Sequence, residues 1–425
     1  MICPACFRLA AISLVAAACA TAYAADSDAD ALALESDDAV AASAVASPSS
    51  KAFAEGGIGW ADQRYGLGSR TVGRAALDGR YSSRLTASIQ GVVSARLDWS
   101  DPPDERIDGA VFSLREAYLG WQDEAAVNLV EAGRVNLRES PGYGYNPTDF
   151  FRDNSLRVYS AVDPGTLRDY RMGAVMLRGQ HLWSGGSVAA VYAPKLADSR
   201  STDSFSFDWG ATNAVDRGQL SLALRPSDKV NTELRLYKEA ASDARFGASV
   251  TALVSDAMVV FAEGTYSREP ALIDRALPAS GPLQTQPRFN FGLSYTTATR
   301  LSVTAEYHYN GFALDETGLD KLLLAAPTAL VAYFSTALAL QDNAARDALF
   351  LYAVQRDLGV KNLDLTGLLK LNLTDDSRLV WLDLTYRLPK LDLSLRGLGN
   401  IGTMGSEFGS APTKYSLGIV MTAYF

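Results

Sequence analysis

Read two residues at a time, the chain repeatedly sorts its side chains onto two unlike faces. In LTASIQGVVSARLDW, Leu85, Ala87, Ile89, Val93, Ala95, Leu97 and Trp99 fall on one face, and Thr86, Ser88, Gln90, Ser94, Arg96 and Asp98 on the other. LSVTAEYHYN sets Leu301, Val303, Ala305, Tyr307 and Tyr309 against Ser302, Thr304, Glu306, His308 and Asn310. Phe289, Phe291, Leu293 and Tyr295 repeat the pattern, as do Leu363, Leu365, Leu369, Leu371 and Leu373. A period of 2 belongs to strands whose faces meet different surroundings. Several runs exceed ten residues, whereas strands of soluble domains average about 5–6 and a tilted strand that crosses a bilayer needs roughly 9–11. Length favours strands that span.

The connections alternate in the same sense. Short turns are expected at Ser82-Ser83, Asp123-Glu124-Ala125, Ser184-Gly185-Gly186, Pro226-Ser227-Asp228, Ser255-Asp256 and Thr297-Ala298-Thr299. Longer stretches, 100–110, 138–168, 195–216 and 269–286, lie between them, with a short exception near Ser242. A spanning up-and-down barrel has this rhythm of short turns at one end and long loops at the other. Parity then requires a strand near Asp347 to Arg356, turning at Leu358-Gly359-Val360, and an opening strand at about Gly57 to Tyr65. The fold class is therefore all-β, a transmembrane antiparallel up-and-down barrel of about 18 strands, with about 16 as the alternative.

One apolar run breaks the pattern. Leu322 to Leu340, LLLAAPTALVAYFSTALAL, is long enough to cross a bilayer as a helix. Pro327 and the alanines argue instead for a helical hairpin within an outer loop, with Pro327 opening the second helix.

The two ends of the chain fit this architecture. At the carboxyl end, Tyr415, Leu417, Ile419, Met421, Ala423 and Phe425 share a face, and the strand stops on the ring of Phe425. This resembles the C-terminal recognition strand of bacterial outer-membrane barrels, and the resemblance implies the barrel-assembly machinery as a partner through Phe425. At the amino end, Arg8 precedes an apolar stretch from Leu9, and Ala22-Tyr23-Ala24 stands before Ala25-Asp26. That order reads as a secretory signal over residues 1–24. A lipoprotein reading through Cys19 would call for a larger aliphatic residue where Ala16 stands.

Composition then narrows the chemistry. Hydrophobic residues make up 48% and charged residues 20%, an ordinary balance that suits a barrel whose strands are half wetted. Cys3, Cys6 and Cys19 all lie in the signal segment, so the mature chain has no thiol for a disulfide, a metal or a nucleophile. The net charge of -9 and the lack of a basic stripe argue against nucleic acid as a partner. Much of the acid precedes Lys51, in Asp26, Asp28, Asp30, Glu35, Asp37 and Asp38. Residues 25–55 are accordingly expected to form a disordered acidic periplasmic tail, with the barrel over 56–425.

Charged side chains on the polar faces are the candidates for a lumen. Arg74, Arg80, Arg96, Arg178, Arg225, Arg235, Arg288 and Arg396 stand with Asp78, Asp98, Glu233, Glu306, Asp364 and Asp392. Opposed rows of such charges would orient solutes in a pore; paired across neighbouring strands, the same residues would simply fill it. The selected pore-lining set is Arg74, Arg96, Arg178, Arg235, Arg288, Asp98, Glu233 and Glu306.

The stretch from Arg138 to Tyr170, RESPGYGYNPTDFFRDNSLRVYSAVDPGTLRDY, is the most distinctive. Its Asn-Pro and Asp-Pro steps favour ordered turns. As an inward-folded constriction loop it would present Tyr143, Tyr145, Asp149, Phe150, Phe151, Arg152 and Arg157. Together with Gly133-Arg134-Val135-Asn136-Leu137 and Asn146-Pro147-Thr148-Asp149, it resembles a segment of poorly characterised bacterial outer-membrane barrels of the porin and export-channel kind. The resemblance covers about 40 residues and implies no particular solute.

Catalysis has little to draw on. His181 lies beside a turn near Trp183, and His308 lies near Glu306 with Ser302 and Thr304 too far along its strand to serve as a direct partner. A hydrolase would need a serine from a neighbouring strand. No metal-ligand spacing, phosphate loop or dinucleotide fingerprint appears, so no enzyme, metal or cofactor is expected. These features point to an outer-membrane channel for diffusion or export of small polar or amphiphilic solutes in a Gram-negative envelope. The alternatives are a closed barrel serving an export or envelope-assembly system, and a barrel hydrolase. Outer-membrane lipid is the expected surroundings, with a homo-oligomer or a periplasmic protein as a further partner.

Overall fold

A computed structural model describes residues 49–102, 109–277, 281–325 and 327–425. The expected signal segment and residues 25–48 of the expected tail lie outside the described residues. The strands are β1 (Ser49–Gln63), β2 (Gly68–Arg84), β3 (Ile89–Asp101), β4 (Ala110–Gln122), β5 (Asn128–Val135) and β6 (Ala174–Trp183). Next come β7 (Gly186–Ala193), β8 (Arg217–Ser227), β9 (Val230–Glu239), β10 (Arg245–Ser255), β11 (Met258–Pro270) and β12 (Leu283–Thr296). The series ends with β13 (Leu301–Asn310), β14 (Asp347–Gln355), β15 (Leu363–Asn372), β16 (Arg378–Leu388), β17 (Leu391–Ile401) and β18 (Thr413–Tyr424). Among the described residues, four short helices sit in the loops: α1 (Pro164–Tyr170), α2 (Leu272–Ala276), α3 (Glu316–Ala325) and α4 (Pro327–Ala339).

Each strand pairs antiparallel with its neighbours in sequence, and β1 pairs with β18, closing one 18-stranded barrel. Closure runs from Phe53 opposite Tyr424 to Gln63 opposite Thr413, and the Phe425 amide donates to Ala52 O at 2.9 Å. The terminal aromatic therefore sits where the sheet meets itself, and no edge is left for a lipid environment that could not satisfy it. The start of β1 and the end of β18 lie at the end of the barrel that carries the short turns, the terminal end; the long connections cluster at the loop end.

The period-2 pattern becomes an inside and an outside. Ile58 (63% exposed), Leu417 (54%) and Ile419 (59%) stand on the outer face of the closing seam, whereas Asp78, Ser94 and Arg96 are buried on the inner face of β2 and β3. An apolar exterior around a charged interior is the arrangement of a barrel in lipid. Among the described residues, no helix is long and apolar enough to cross a membrane.

Two expectations need correction. The opening strand begins at Ser49, so residues 49–55 belong to the barrel rather than to the tail. Ser82 and Ser83 lie within β2, and the turn falls at 85–88, where the Thr86 hydroxyl accepts the amides of Ser88 and Ile89. That side-chain capture of the backbone takes Leu85 and Ala87 out of the strand. The strand count is the expected 18.

The apolar run from Leu322 to Leu340 forms α3 and α4, and the second helix starts at Pro327. Leu319, Leu330, Tyr333, Ala337 and Leu340 pack with Leu272 of α2 to make a small core over the loop end. Tyr333 anchors it, donating to Ala344 O at 2.8 Å and accepting the Leu314 amide at 2.9 Å.

A bulge in β4 matters for the interior. Ser94 pairs with Glu116 and Ala95 with Leu114, which leaves Arg115 as the extra residue. Arg115 and Glu116 are both buried, and both reach charged partners on β2: Arg115 bonds Asp78 at 2.6 Å, and Glu116 accepts from Arg80. The bulge thus supplies two inward charges where regular alternation allows one.

Candidate functional site

Residues 136–173 leave β5 and return at β6 after crossing the barrel interior. Two carboxylates on the far wall hold the crossing. Glu263 of β11 accepts the Ser140 hydroxyl, the Gly142 amide at 3.0 Å, the Thr148 amide at 3.3 Å and the Thr148 hydroxyl at 2.5 Å. Glu306 of β13 accepts the amides of Tyr143 at 2.5 Å and Gly144 at 3.0 Å, and bonds His308 Nε2 at 2.7 Å. Asn290 of β12 donates to Tyr145 O at 2.7 Å, and Arg235 of β9 donates to the Thr148 hydroxyl at 2.6 Å. Buried carboxylates that collect backbone amides make a strong, directional anchor.

Packing completes the dock. Phe150 stacks on Tyr237 with ring centroids 4.7 Å apart, and Phe151 meets the same ring edge-on. Gly144 lies flat against Phe350, where an added Cβ would come within 2.7 Å of the ring. The helical hairpin braces the loop from above. Asp342, just beyond α4, accepts from the Tyr145 hydroxyl at 2.7 Å, Arg152 at 3.3 Å and Arg288 at 3.0 Å. Gln341 bonds Arg171 at 2.7 Å and Ser155 at 2.8 Å. Burial and the Asp342 carboxylate push the Tyr145 hydroxyl well above its ordinary pKa, which keeps it a donor.

With the loop against β9–β14, open space remains on the other side. A cavity of about 1800 Å³ follows β1–β9 and β14–β18. Its lining includes Gln63, Arg70 and Thr413 toward the loop end, and Lys51, Leu388 and Phe425 toward the terminal end. The loop contributes Tyr143, Val158, Asp163, Arg168, Asp169 and Tyr170 to its inner margin. The Arg96 guanidinium lies 3.9 Å from the centre of the Tyr170 ring, where the loop comes closest to β3.

Basic and acidic side chains line this passage in equal number, and most are matched on the wall. Arg96 pairs with Asp98 at 2.9 Å and Asp78 at 3.3 Å, Arg178 with Glu131 at 2.8 Å, Arg387 with Asp364 at 2.8 Å and Arg396 with Asp383 at 2.7 Å. Arg80 pairs with Glu116, Arg235 with Glu233, and Arg138 with Asp169. The charges therefore neutralise one another locally instead of standing in opposed rows, and they set up no strong field across the lumen.

The candidate residues divide between the passage and the dock. Arg74, Arg96, Arg178, Arg235, Asp98 and Glu233 line the passage. Arg288 and Glu306 do not: both point inward as the dyad requires, but they are buried beneath the loop. Of the selected loop residues only Tyr143 faces the passage. Tyr145, Asp149, Phe150, Phe151 and Arg152 are buried on the far side, with Asp149 held by Arg171 at 2.5 Å. Arg157 faces the opposite way and donates to the carbonyls of Phe112 at 2.9 Å and Ser206 at 3.1 Å, tying the loop to β4 and to the 194–216 connection. The aromatic pair thus serves as an anchor rather than as the narrow point.

Sequence reasoning missed the stretch that does face the passage, Val158 to Tyr170. Its signal was available in Asp163-Pro164, an N-cap followed by proline in the first turn. The Asp163 carboxylate accepts the Thr166 amide at 2.7 Å and starts α1.

His308 is fully buried between Tyr145 and Phe350, and its bonded partner is Glu306, not a hydroxyl nucleophile. His181 bonds Asn128 at 2.8 Å beside Trp183 at the terminal end. Among the described residues, no group of three histidine, cysteine or acidic side chains is arranged to hold a metal ion.

No protein-family model matches the chain, and no curated protein matches it. Among solved structures it is similar to mutants of the Rhodopseudomonas blastica porin, at 12% identity, with 89% of this chain and 100% of the porin covered and TM-scores of 0.44 and 0.45. It is also similar to Salmonella typhi OmpF in complex with daunomycin, at 9% identity, covering 89% of this chain and 98% of that one, with a TM-score of 0.44. The closed, 18-stranded antiparallel barrel is established by the strand pairing itself. Likeness at this level carries nothing about solute or mechanism, which rest on the residues described above.

Proposed function

We propose that the chain is an outer-membrane channel through which small polar solutes diffuse along the off-centre passage. The observation that carries the reading is the continuity of that passage: one cavity is lined both by Arg70 and Thr413 at the loop end and by Lys51, Asp392 and Tyr424 at the terminal end. Diffusion needs a wetted path and no catalytic group. In this reading the loop end faces outward and the terminal end faces the periplasm, in keeping with short turns on the periplasmic side. The signal segment and the Phe425 strand support delivery to a Gram-negative outer membrane and insertion by the barrel-assembly machinery.

The paired charges give the passage its character. A lining of matched acids and bases admits cations and anions with little preference, so size sorts the solutes more than sign does. Swelling of liposomes that contain the refolded protein tests this. Swelling should be rapid with small neutral and zwitterionic solutes and should fall steeply with molecular size. A folded barrel that supports no swelling with any solute would reject the channel.

A further inference from the structure

Two arginines of the passage stand apart from the rest. Arg70 and Arg74 occupy the inward register of β2 shared with Asp78 and Arg80, and both are exposed at the loop-end mouth. Among the described residues neither pairs with a carboxylate: Arg74 donates only to Ser160 O, at 3.0 Å. Across the β1 pairing, Arg70 faces Ala61 and Arg74 faces Gly57, residues that offer no charge. The nearby Asp62 is turned to the opposite register and accepts from Ser69.

Apolar side chains line the same cavity. Ser160, the partner of Arg74, sits between Val158 and Ala161, and all three line the cavity. The Tyr159 hydroxyl meets Leu338 O of α4 at 3.4 Å, and Leu338 is 47% exposed on the same cavity. Arg74, unpaired with any carboxylate among the described residues, thus reaches the backbone of the 158–161 segment, and Arg70 stands four residues along the same inward register, in a vestibule that Val158, Ala161 and Leu338 also line and that leads to a charge-balanced passage.

We infer that this mouth is a capture site for anionic amphiphiles, small solutes with a carboxylate, sulfonate or similar head and a short apolar tail. The head meets Arg70 and Arg74, whose forked donors suit a planar or tetrahedral oxyanion, and the tail rests on Val158, Ala161 and Leu338. Both arginines face the lumen and not the lipid, so the ligand arrives as a dissolved solute. The inference rests on the channel reading and adds a solute class to it.

The test is block of potassium chloride current through the full-length protein in a planar bilayer, with three probes added to the loop end. Hexanesulfonate carries head and tail, methanesulfonate the head alone, and hexyltrimethylammonium the same tail with the opposite charge. Hexanesulfonate should halve the current at a concentration at least about tenfold below either of the others. The Arg70→Gln/Arg74→Gln double variant should abolish that advantage. Leu338→Ser should weaken block by hexanesulfonate several-fold and leave methanesulfonate unaffected. Equal potency of the three probes, or an advantage that survives the double variant, would overturn the site. Calorimetric titration of hexanesulfonate into the protein in lipid nanodiscs reads the site without any current. Binding without conductance would sink the passage and keep the site; conductance without discrimination would do the reverse.

Discussion

The Tyr145 hydroxyl donates to Asp342 at 2.7 Å, joining the middle of the inward loop to the segment that leaves the helical hairpin. Arg152 and Arg288 converge on the same carboxylate, so one buried acid ties loop, hairpin and barrel wall together. Asp342→Asn leaves two buried arginines short of a counter-charge and should cost roughly 3 kcal/mol of loop docking, which raises the open population on the order of a hundredfold. The expected readout is faster tryptic cleavage at Arg152 and Arg157 in a barrel that still resists heat in detergent.

The same acid sets a pH dependence. Burial by itself raises the Asp342 carboxyl, but Arg288 and Arg152 outweigh it and hold it below the ordinary range. A carboxyl lowered in the docked state contributes stability that is complete above its undocked value, about 3.9, and is lost as pH falls through the docked value. Asp153 works the other way: burial raises its carboxyl against Arg275 and Arg152, which favours docking as the medium becomes mildly acidic. Single-channel noise should therefore stay level from neutral pH to about pH 5 and grow only below about pH 3.9. A noise increase centred near neutrality would contradict the assignment to Asp342.

Glu263 supports the loop from below through Ser140, Gly142 and Thr148. Hydrogen bonds to a charged acceptor contribute about 1.5–3 kcal/mol each, and Glu263→Ala removes all of them at once. The loop should leave the β11 wall, and the size limit for liposome swelling should change while the barrel fold persists. An unchanged size profile would mean that the loop does not bound the passage.

Gly144 owes its identity to the ring of Phe350, since a Cβ there would lie 2.7 Å from that ring. Gly144→Val should displace the loop much as loss of Glu263 does. Phe350→Ala in the same chain should restore part of the docking by making room, a compensation visible in the rate of tryptic cleavage.

At the seam, the Phe425 amide bonds Ala52 O, and Tyr424 faces Phe53. Deleting Phe425 removes one hydrogen bond and one exposed ring, a small change for a closed sheet. If assembly machinery reads this residue, the deletion should lower the outer-membrane yield several-fold in cells while refolding from urea into detergent is nearly unaffected. Equal losses in both settings would assign the residue to stability alone.

The wall of the barrel was legible because strand geometry is local: Arg96 and Asp98 alternate with Leu97 and Trp99 whatever the distant chain does. The start of β1 was not, because Ala52, Ala54 and Gly56 on its outer register are too small to mark a lipid face. The hairpin was visible through Pro327 and its apolar flanks. The path of the long loop was hidden, since it is decided by Glu263 and Glu306, more than a hundred residues away in sequence. Arg288 and Glu306 show the same limit: the dyad gives their direction, and only the loop's position decides whether they meet water or a covering chain.

Single-channel recording of the refolded mature protein tests the central claim most directly. A closed barrel with an open path beside its inward loop should insert as discrete, ohmic conductance steps, with a reversal potential near zero in a potassium chloride gradient because acids and bases balance along the lining. Protein shown to be folded by its β-sheet spectrum and heat-modifiable migration, yet giving no steps under any voltage, would contradict it.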